Sequence, residues 1–422
     1  MMQWIQAQDV AGLLRPGMTV FVAGATAEPR EILRALSEHG ESCAGVRFVS
    51  VSLPGINHVD FTSLNEKAQS TAFFATPENR QSIAAGRAEF VPMQYSAIYD
   101  YLQRDLPVDV ALVQLPEPAR DAVSLGISVD FLPSVLDKAG LLIGEINARQ
   151  PTPAGAAEIP LSRLDYAVAC ERPVPTIAPA KINSAVNEIG RHVAALIRDG
   201  DCIQIGIGGI PGATMAALSE RNDLGFHSGM ITDGAMNLAR AGNITGRMKA
   251  VDADLMVSGA TLGSQELVEW AGNAQNLIFR PVGYTHDIEV LRRIDNFVSI
   301  NSALEVDLFG QVNADMLGGR QISATGGSID MMRGAALSAG GRSIIALKST
   351  ARGGTVSCIR SALSSGTATT ALRTDVDYVV TEYGARQIRH LPLLARAAAL
   401  IEIAHPDFRD SLQYQWKEMM RA

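Results

Sequence analysis

The sequence predicts an α/β protein whose two halves share a supersecondary unit, on three observations. Strand-like apolar runs alternate with helix-like segments along the chain. A strand–loop–helix pattern occurs twice, once near the N-terminus and once near the middle. A proline-rich stretch without periodicity separates the two halves.

The alternation is read from runs such as "VRFVSVSL", "VDVALVQL", "GLLIGEI", "ADLMVSGA", "FVSINSAL" and "SIIALKST". Helix-like stretches such as "SAVNEIGRHVAALIRDG" and "GATMAALSERN" lie among them, the order expected of substantially parallel sheets. The repeat is "LLRPGMTVFVAGATAEPREILRALSE", Leu13 to Glu38, against "LIRDGDCIQIGIGGIPGATMAALSE", Leu196 to Glu220. Each reads as a helix end, a Gly turn, an apolar strand, a small-residue loop with a proline, and a helix. The shared Gly, Pro and Leu-Ser-Glu landmarks point to a duplicated supersecondary unit. The break is "ERPVPTIAPAKIN", Glu171 to Asn183, which carries three prolines. The chain is therefore divided into residues 1–182 and 183–422.

Composition bounds the function. A chain of 422 residues is too long for one ordinary core, and 47% hydrophobic with 19% charged content excludes general disorder. The net charge of −8 argues against a nucleic-acid partner, because no basic excess exists to displace counterions. The apolar runs are short and interrupted, far from the roughly 20 residues that span a bilayer, so no membrane role is expected. Cys43, Cys170, Cys202 and Cys358 lie far apart without metal-ligand spacing. With no recognisable secretory signal, a reduced cytoplasmic setting and no metal are expected.

Two glycine-rich loops carry the chemistry. In "CIQIGIGGIPGATMAAL", Gly206, Gly208 and Gly209 follow an apolar strand and precede a helix. Glycine lets backbone N–H groups approach a ligand, and the helix N-terminus adds partial positive charge. Such a loop suits a phosphate or a developing oxyanion; the alternative is a plain tight turn. The spacing fits neither a dinucleotide fingerprint nor a P-loop. The second loop, "SATGGSIDMMRGAALSAGGRSIIALKST", contains Gly326 and Gly327 and ends on a strand with Lys348. A lysine there serves an anionic ligand or snorkels to solvent. Arg352 and Arg360 nearby are phosphate partners or surface charges.

"QIGIGGIP", "LGFHSGMITDG", "SINSALEVDLFGQVNAD", "SATGGSIDMMRGA", "DYVVTEYGARQIR" and "LIEIAHPDFRDSL" follow one another in an order that resembles the acetyl-CoA hydrolase/transferase family. This is the class I CoA-transferase group that includes 4-hydroxybutyrate CoA-transferases, and the resemblance covers almost the whole chain. It implies two open α/β domains of the CoA-transferase type with the active site between them. It implies movement of CoA from an acyl-CoA to a small carboxylic acid through glutamyl anhydride and glutamyl-CoA intermediates. CoA esters are then substrates, no cofactor is tightly bound, and a homodimer or larger homo-oligomer is expected. The resemblance lays Gly206, Ile207, Gly208, Gly209 and Ile210 along CoA, and places Gly327, Lys348 and Ser349 near it.

One position departs from the family pattern. The family's "H-[ST]-E-M" reads His227-Ser228-Gly229-Met230 in this chain, so the nucleophilic glutamate is absent. Asp233 and Gly234 keep the frame. Three readings follow: another carboxylate has taken the role, water or the acceptor acid attacks directly, or the chain binds CoA without turnover. The first makes Glu28, in "ATAEPRE", and Asp60, in "PGINHVDF", candidate carboxylates. Their alternatives are helix capping for Glu28 and a solvated loop for Asp60. His227 and His405 read as structural, and Glu382 as either a site residue or a buried hydrogen-bonding group.

Overall fold

The computed structural model describes residues 2–421. They form two compact units. The first contains the chain up to Ala178 together with Gly229–Asp233 and Val257–Thr285. The second contains Pro179–Ser228, Gly234–Met256 and the chain from His286 onward.

The first unit is built on an eight-stranded sheet. Across it the strands run Gln3–Trp4, Tyr166–Cys170, Leu141–Asn147, Val110–Leu115, Thr19–Val22, Arg47–Ser50, Gln69–Ala72 and Ala88–Phe90. All neighbours pair parallel. A parallel sheet is covered on both faces, so its central strands need apolar residues on both sides. Val110–Leu115 is buried at all six positions. The second unit holds a six-stranded sheet in the order Gly225–Phe226, Cys202–Ile205, Phe297–Ser302, Arg342–Ala346, Tyr378–Thr381 and Gly384–Gln387. Only its last pair is antiparallel.

The two sheets share one connection rule. The strand after Thr19–Val22 in the first sheet lies on one side of it, and the later Val110–Leu115 on the other. Cys202–Ile205 stands in the same way between Gly225–Phe226 and Phe297–Ser302. Each is a topological switch point, where the loops at the carboxyl ends of the strands diverge and leave a crevice. Both small-residue loops of the sequence repeat leave from these two strands.

Beneath the first of these loops lies a buried polar network. Gln114, Glu145 and Asn147 are fully buried, and each sits in an otherwise apolar strand. Gln114 Nε2 donates to Thr26 O at 2.8 Å, and Asn147 Nδ2 donates to Gln114 Oε1 at 3.1 Å. Asn147 also exchanges hydrogen bonds with the backbone of Arg172, 3.0 Å to its carbonyl and 3.2 Å from its amide. The Arg172 guanidinium donates to Glu145 Oε1 at 2.6 Å and to Glu28 O at 2.9 Å. Glu145 Oε2 accepts from Ile32 N at 2.9 Å, in the first turn of helix Arg30–Glu38. Burial pushes the Glu145 carboxyl up, and Arg172 opposes that shift.

Removing one member of a buried charge pair strands the other, at about 3–5 kcal/mol. Arg172→Met is therefore expected to lower unfolding stability by that order in urea at pH 7. Without its counter-charge Glu145 rises further, so the folded state of the variant holds a proton that the unfolded chain releases. The deficit should then shrink as pH falls toward 5, and a deficit independent of pH would contradict the account.

Candidate active site

In the second unit, strand Cys202–Ile205 ends at Gly206, and helix Gly209–Ala216 begins three residues later. Between them Ile207 and Gly208 are exposed. Gly208 has φ 117°, a conformation that L side chains rarely adopt. At Gly206 a Cβ would meet nothing within 4 Å, so that glycine is not demanded by neighbours of its own unit. The loop thus turns on Gly208 and opens the first turn of the helix outward.

The other residues expected near CoA in this unit are differently engaged. A Cβ on Gly327 would stand 2.1 Å from His286 Nε2, so this glycine permits close packing on a histidine. Burial pulls that histidine down to about 3 and keeps it neutral. Lys348 is exposed. Ser349 is fully buried, and both its amide and its hydroxyl donate to the Glu382 carboxylate at 2.8 Å. Glu382 therefore fixes the turn after strand Arg342–Ala346, which is the hydrogen-bonding alternative of the two readings of this residue. His227 is buried edge-on to Phe297, and His405 Nδ1 caps helix Pro406–Met419 by accepting from Asp407 N.

In the first unit the loop Gly24–Glu28 is held rigidly. Ala25 has φ 48°, unusual for a residue with a side chain. Asn57 maintains it: its Oδ1 accepts from Ala25 N and Leu53 N, and its Nδ2 donates to Ala25 O. Glu28 and Asp60 line one cleft of about 490 Å³ with Arg30, Arg34 and His58. Neither carboxylate is free within it. Glu28 is paired with Arg30 at 3.0 Å, and burial pushes it up against that pairing. Asp60 Oδ1 accepts from Thr62 N and Oγ1, and its Oδ2 accepts from Ser82 Oγ, so it caps the short turn Phe61–Ser63.

Gly229 belongs to this first unit and is buried. Its carbonyl accepts from Gly259 N at 3.2 Å and Ala260 N at 3.1 Å. A Cβ on Gly259 would lie 2.7 Å from Gly229 O and 2.8 Å from Asp130 Oδ1. The Asp130 carboxylate therefore stands beside the peptide of position 229. Asp130 N in turn donates to Gly259 O, and its carbonyl accepts from Val282 N. Asp130 has φ 33°, a sparsely populated conformation of the kind that clusters at functional sites. Burial alone pushes its carboxyl up to about 7.

Asp130 also lines a small cavity with Gly24, Ala27, Val51 and Ser128. Ser128 is 1% exposed, and its hydroxyl has no hydrogen-bond partner among the described residues. The buried hydroxyls of Thr26 and Thr261 also lack partners among the described residues. Asp130 stands in none of the sequence motifs. The available signal was one acid inside the apolar run "SLGISVDFLPSVL". Among the described residues no group of three or more His, Cys, Asp or Glu side chains is placed to hold a metal, and no helix is long and apolar enough to cross a membrane.

The acetyl-CoA hydrolase/transferase N-terminal domain model matches residues 2–178, and the C-terminal domain model matches residues 263–416. The GIGG loop and Gly229 lie between the two matches. The chain is 36% identical to 4-hydroxybutyrate coenzyme A transferase of Clostridium kluyveri, over 98% of this chain and 97% of the relative. Among solved structures it is similar to RipA from Yersinia pestis, with TM-score 0.92, 30% identity and 99% and 98% of the two chains covered. It is also similar to 4-hydroxybutyrate CoA-transferase from Porphyromonas gingivalis, with TM-score 0.81, 31% identity and coverage of 99% and 97%. The α/β architecture with a large parallel sheet is thus shared with these proteins.

The raised Asp130 carboxyl makes a thermodynamic prediction. Its folded-state value of about 7 lies above the ordinary 3.8, so the folded chain keeps a proton that the unfolded chain releases. Its contribution to stability is full below about pH 4 and falls as pH rises to about 7. Asp130→Asn removes that fall. Relative to the parent, the variant should gain about 2–4 kcal/mol of unfolding stability between pH 4 and pH 8. Parallel stability curves for the two proteins in urea would show that Asp130 titrates normally.

Proposed function

Because the chain belongs to the acetyl-CoA hydrolase/transferase family, we propose that it moves CoA from a short-chain acyl-CoA to a small carboxylic acid without a glutamyl intermediate at position 229. The observation that carries this reading is the open loop Gly206–Ile210. It leaves a switch-point strand, turns at Gly208 and exposes the start of a helix. Backbone amides so placed suit the phosphates of a CoA ester or the oxyanion formed at its carbonyl. Gly327, Lys348 and Ser349 are secondary to this loop. Ser349 acts through the backbone geometry that Glu382 imposes, and Lys348 as an exposed cation.

Thioester hydrolysis is the second reading, and Gly229 is the observation that favours it. A position without a side chain forms no covalent intermediate there, and direct attack by water or the acceptor acid is the route that needs none. Incubation with acetyl-CoA, with and without an acceptor acid, separates the two. Acyl exchange that requires the acid marks transfer, and free CoA without the acid marks hydrolysis. A chain that binds CoA and does neither would overturn both.

Two substitutions test the reading. Gly208→Val places a β-branched side chain at φ 117°, a strain of about 1–2 kcal/mol. It should weaken CoA-ester binding by at least about tenfold in a calorimetric titration. Unchanged affinity and turnover would remove the loop from the site. Gly229→Glu restores the family's carboxylate. It should raise exchange of labelled acetate into acetyl-CoA and produce a CoA adduct visible by mass spectrometry, since nucleophile and thioester are then held together. Activity with a larger native acyl group should fall, because the new side chain fills its space. A folded variant with neither faster exchange nor an adduct would show that position 229 is not the family's nucleophile position.

A further inference from the structure

Three buried hydroxyls without partners among the described residues lie along one seam of the first unit. There strand Ala260–Thr261 packs on the short turn Ala25–Ala27 and on residues 127–130. Gly259 O accepts from Val129 N at 2.9 Å and from Asp130 N at 3.3 Å, and Ile127 O accepts from Thr261 N at 2.9 Å. Thr26, Ser128 and Thr261 supply the three hydroxyls, one from each segment. An unmet hydroxyl is costly while the seam is closed, and water that reaches it restores its bonds.

Asp130 closes the same seam under strain. Its φ of 33° is sparsely populated. With Ser128 it lines a cavity of about 10 Å³, close to the room one water needs. The residue is half-buried, so solvent stands close to the seam. Its carboxyl lies beside Gly229 O, an oxygen that already accepts from two amides. Ionisation would therefore set a carboxylate against another acceptor.

The charged groups around Asp130 offer no compensation. Tyr95 and Tyr99 lie on the neighbouring helix, and burial raises both phenols, which stay neutral. Glu28, beyond the turn Ala25–Ala27, is paired with Arg30. Asp233, in the segment of Gly229, accepts from Ser264 N and Oγ. Asp137 follows the helix after Asp130, and Arg280 and Tyr284 flank the peptide of Val282. Neither Arg30 nor Arg280 acts on the Asp130 carboxyl, which burial alone raises to about 7.

We propose that this seam is a pH-gated latch: ionisation of Asp130 parts residues 127–130 from Gly259–Thr261, and water enters to solvate the carboxylate and the three hydroxyls. The latch lies wholly within the first unit and does not rest on the acyl-CoA reading. The carbonyl of Gly229 is bonded to Gly259 and Ala260, so the latch sets how firmly position 229 is held. Farther along the same segment Leu267, Phe279 and Val282 are fully buried, which confines the opening to the seam. The open seam releases a proton that the closed seam keeps. Opening therefore grows as pH rises from about 4 and levels off above about 7.

The experiment is hydrogen exchange of the full chain followed by mass spectrometry from pH 5 to pH 8, corrected for intrinsic exchange. It compares peptides over the seam, residues 126–131 and 258–262, with a peptide over the buried strand Val110–Leu115. In the parent the seam should be less protected than the strand. Its protection should fall by at least about tenfold across the range. Asp130→Asn cannot ionise and should hold constant protection. Ser128→Ala removes one unmet hydroxyl and should raise seam protection at least about fivefold at every pH, with the fall retained. It carries the test if Asp130→Asn does not fold. Equal protection of seam and strand overturns the proposal, because the seam then opens only when the whole unit unfolds. Seam protection independent of pH in the parent overturns it, as does a fall that persists in Asp130→Asn. Unchanged or lower protection in Ser128→Ala overturns it too.

Discussion

A buried polar network supports the first unit from below. Gln114, Asn147, Arg172 and Glu145 join two central strands, the start of helix Arg30–Glu38 and the backbone of Thr26 and Glu28. Such groups are stable in an apolar interior only when their hydrogen bonds are made together. The loop above them therefore has one arrangement. Ala25 is held at a positive φ by Asn57 on one side while Gln114 and Arg172 fix the carbonyls of Thr26 and Glu28 on the other. The cavity that meets Asp130 takes its shape from this fixed loop.

The equivalent loop of the second unit is built on the opposite principle. It has small residues and an exposed turn at Gly208, and no side chain of its own carries charge. One loop is shaped by polar side chains beneath it, and the other by the glycines within it. The repeated strand–loop–helix pattern thus yields two different loops: a rigid wall for a small cavity, and an open run of amides. The second suits recognition of a large anionic ligand, because amides bind charge without a counter-charge that must be desolvated.

Much of this was legible in the sequence, for physical reasons. Glycines after an apolar strand announce a special backbone, so the Gly206–Gly209 loop could be located, as could the repeat that pairs it with Gly24–Glu28. Polar groups inside strands leave a weaker trace. "VALVQL" and "LLIGEIN" read as apolar runs, and nothing local shows that Gln114 and Asn147 meet each other or that Glu145 meets Arg172. Asp60 illustrates the reverse. It was a candidate by its place after a strand, yet Thr62 and Ser82 occupy its oxygens. Asp130 escaped notice because its meaning depends on Gly259 and Gly229, about a hundred residues farther along, which only folding brings alongside.

The threading of the first unit constrains how the protein can be made. Its eight-stranded sheet is complete once residue 170 has been synthesised, but Gly229–Asp233 and Val257–Thr285 still belong to it. Those segments bond to the backbone of Ile127, Asp130 and Ile177 through Thr261, Gly259, Val282 and Gly263. At roughly 5–20 residues per second, the ribosome needs on the order of 5–20 s to extend from Ala178 to Thr285. During that interval the nascent sheet exists without the segment that carries position 229. The carboxyl of Asp130, later enclosed, then still faces water. The seats of the late segments are bare for the same time, and a gene cut at the proline-rich junction would leave them bare permanently.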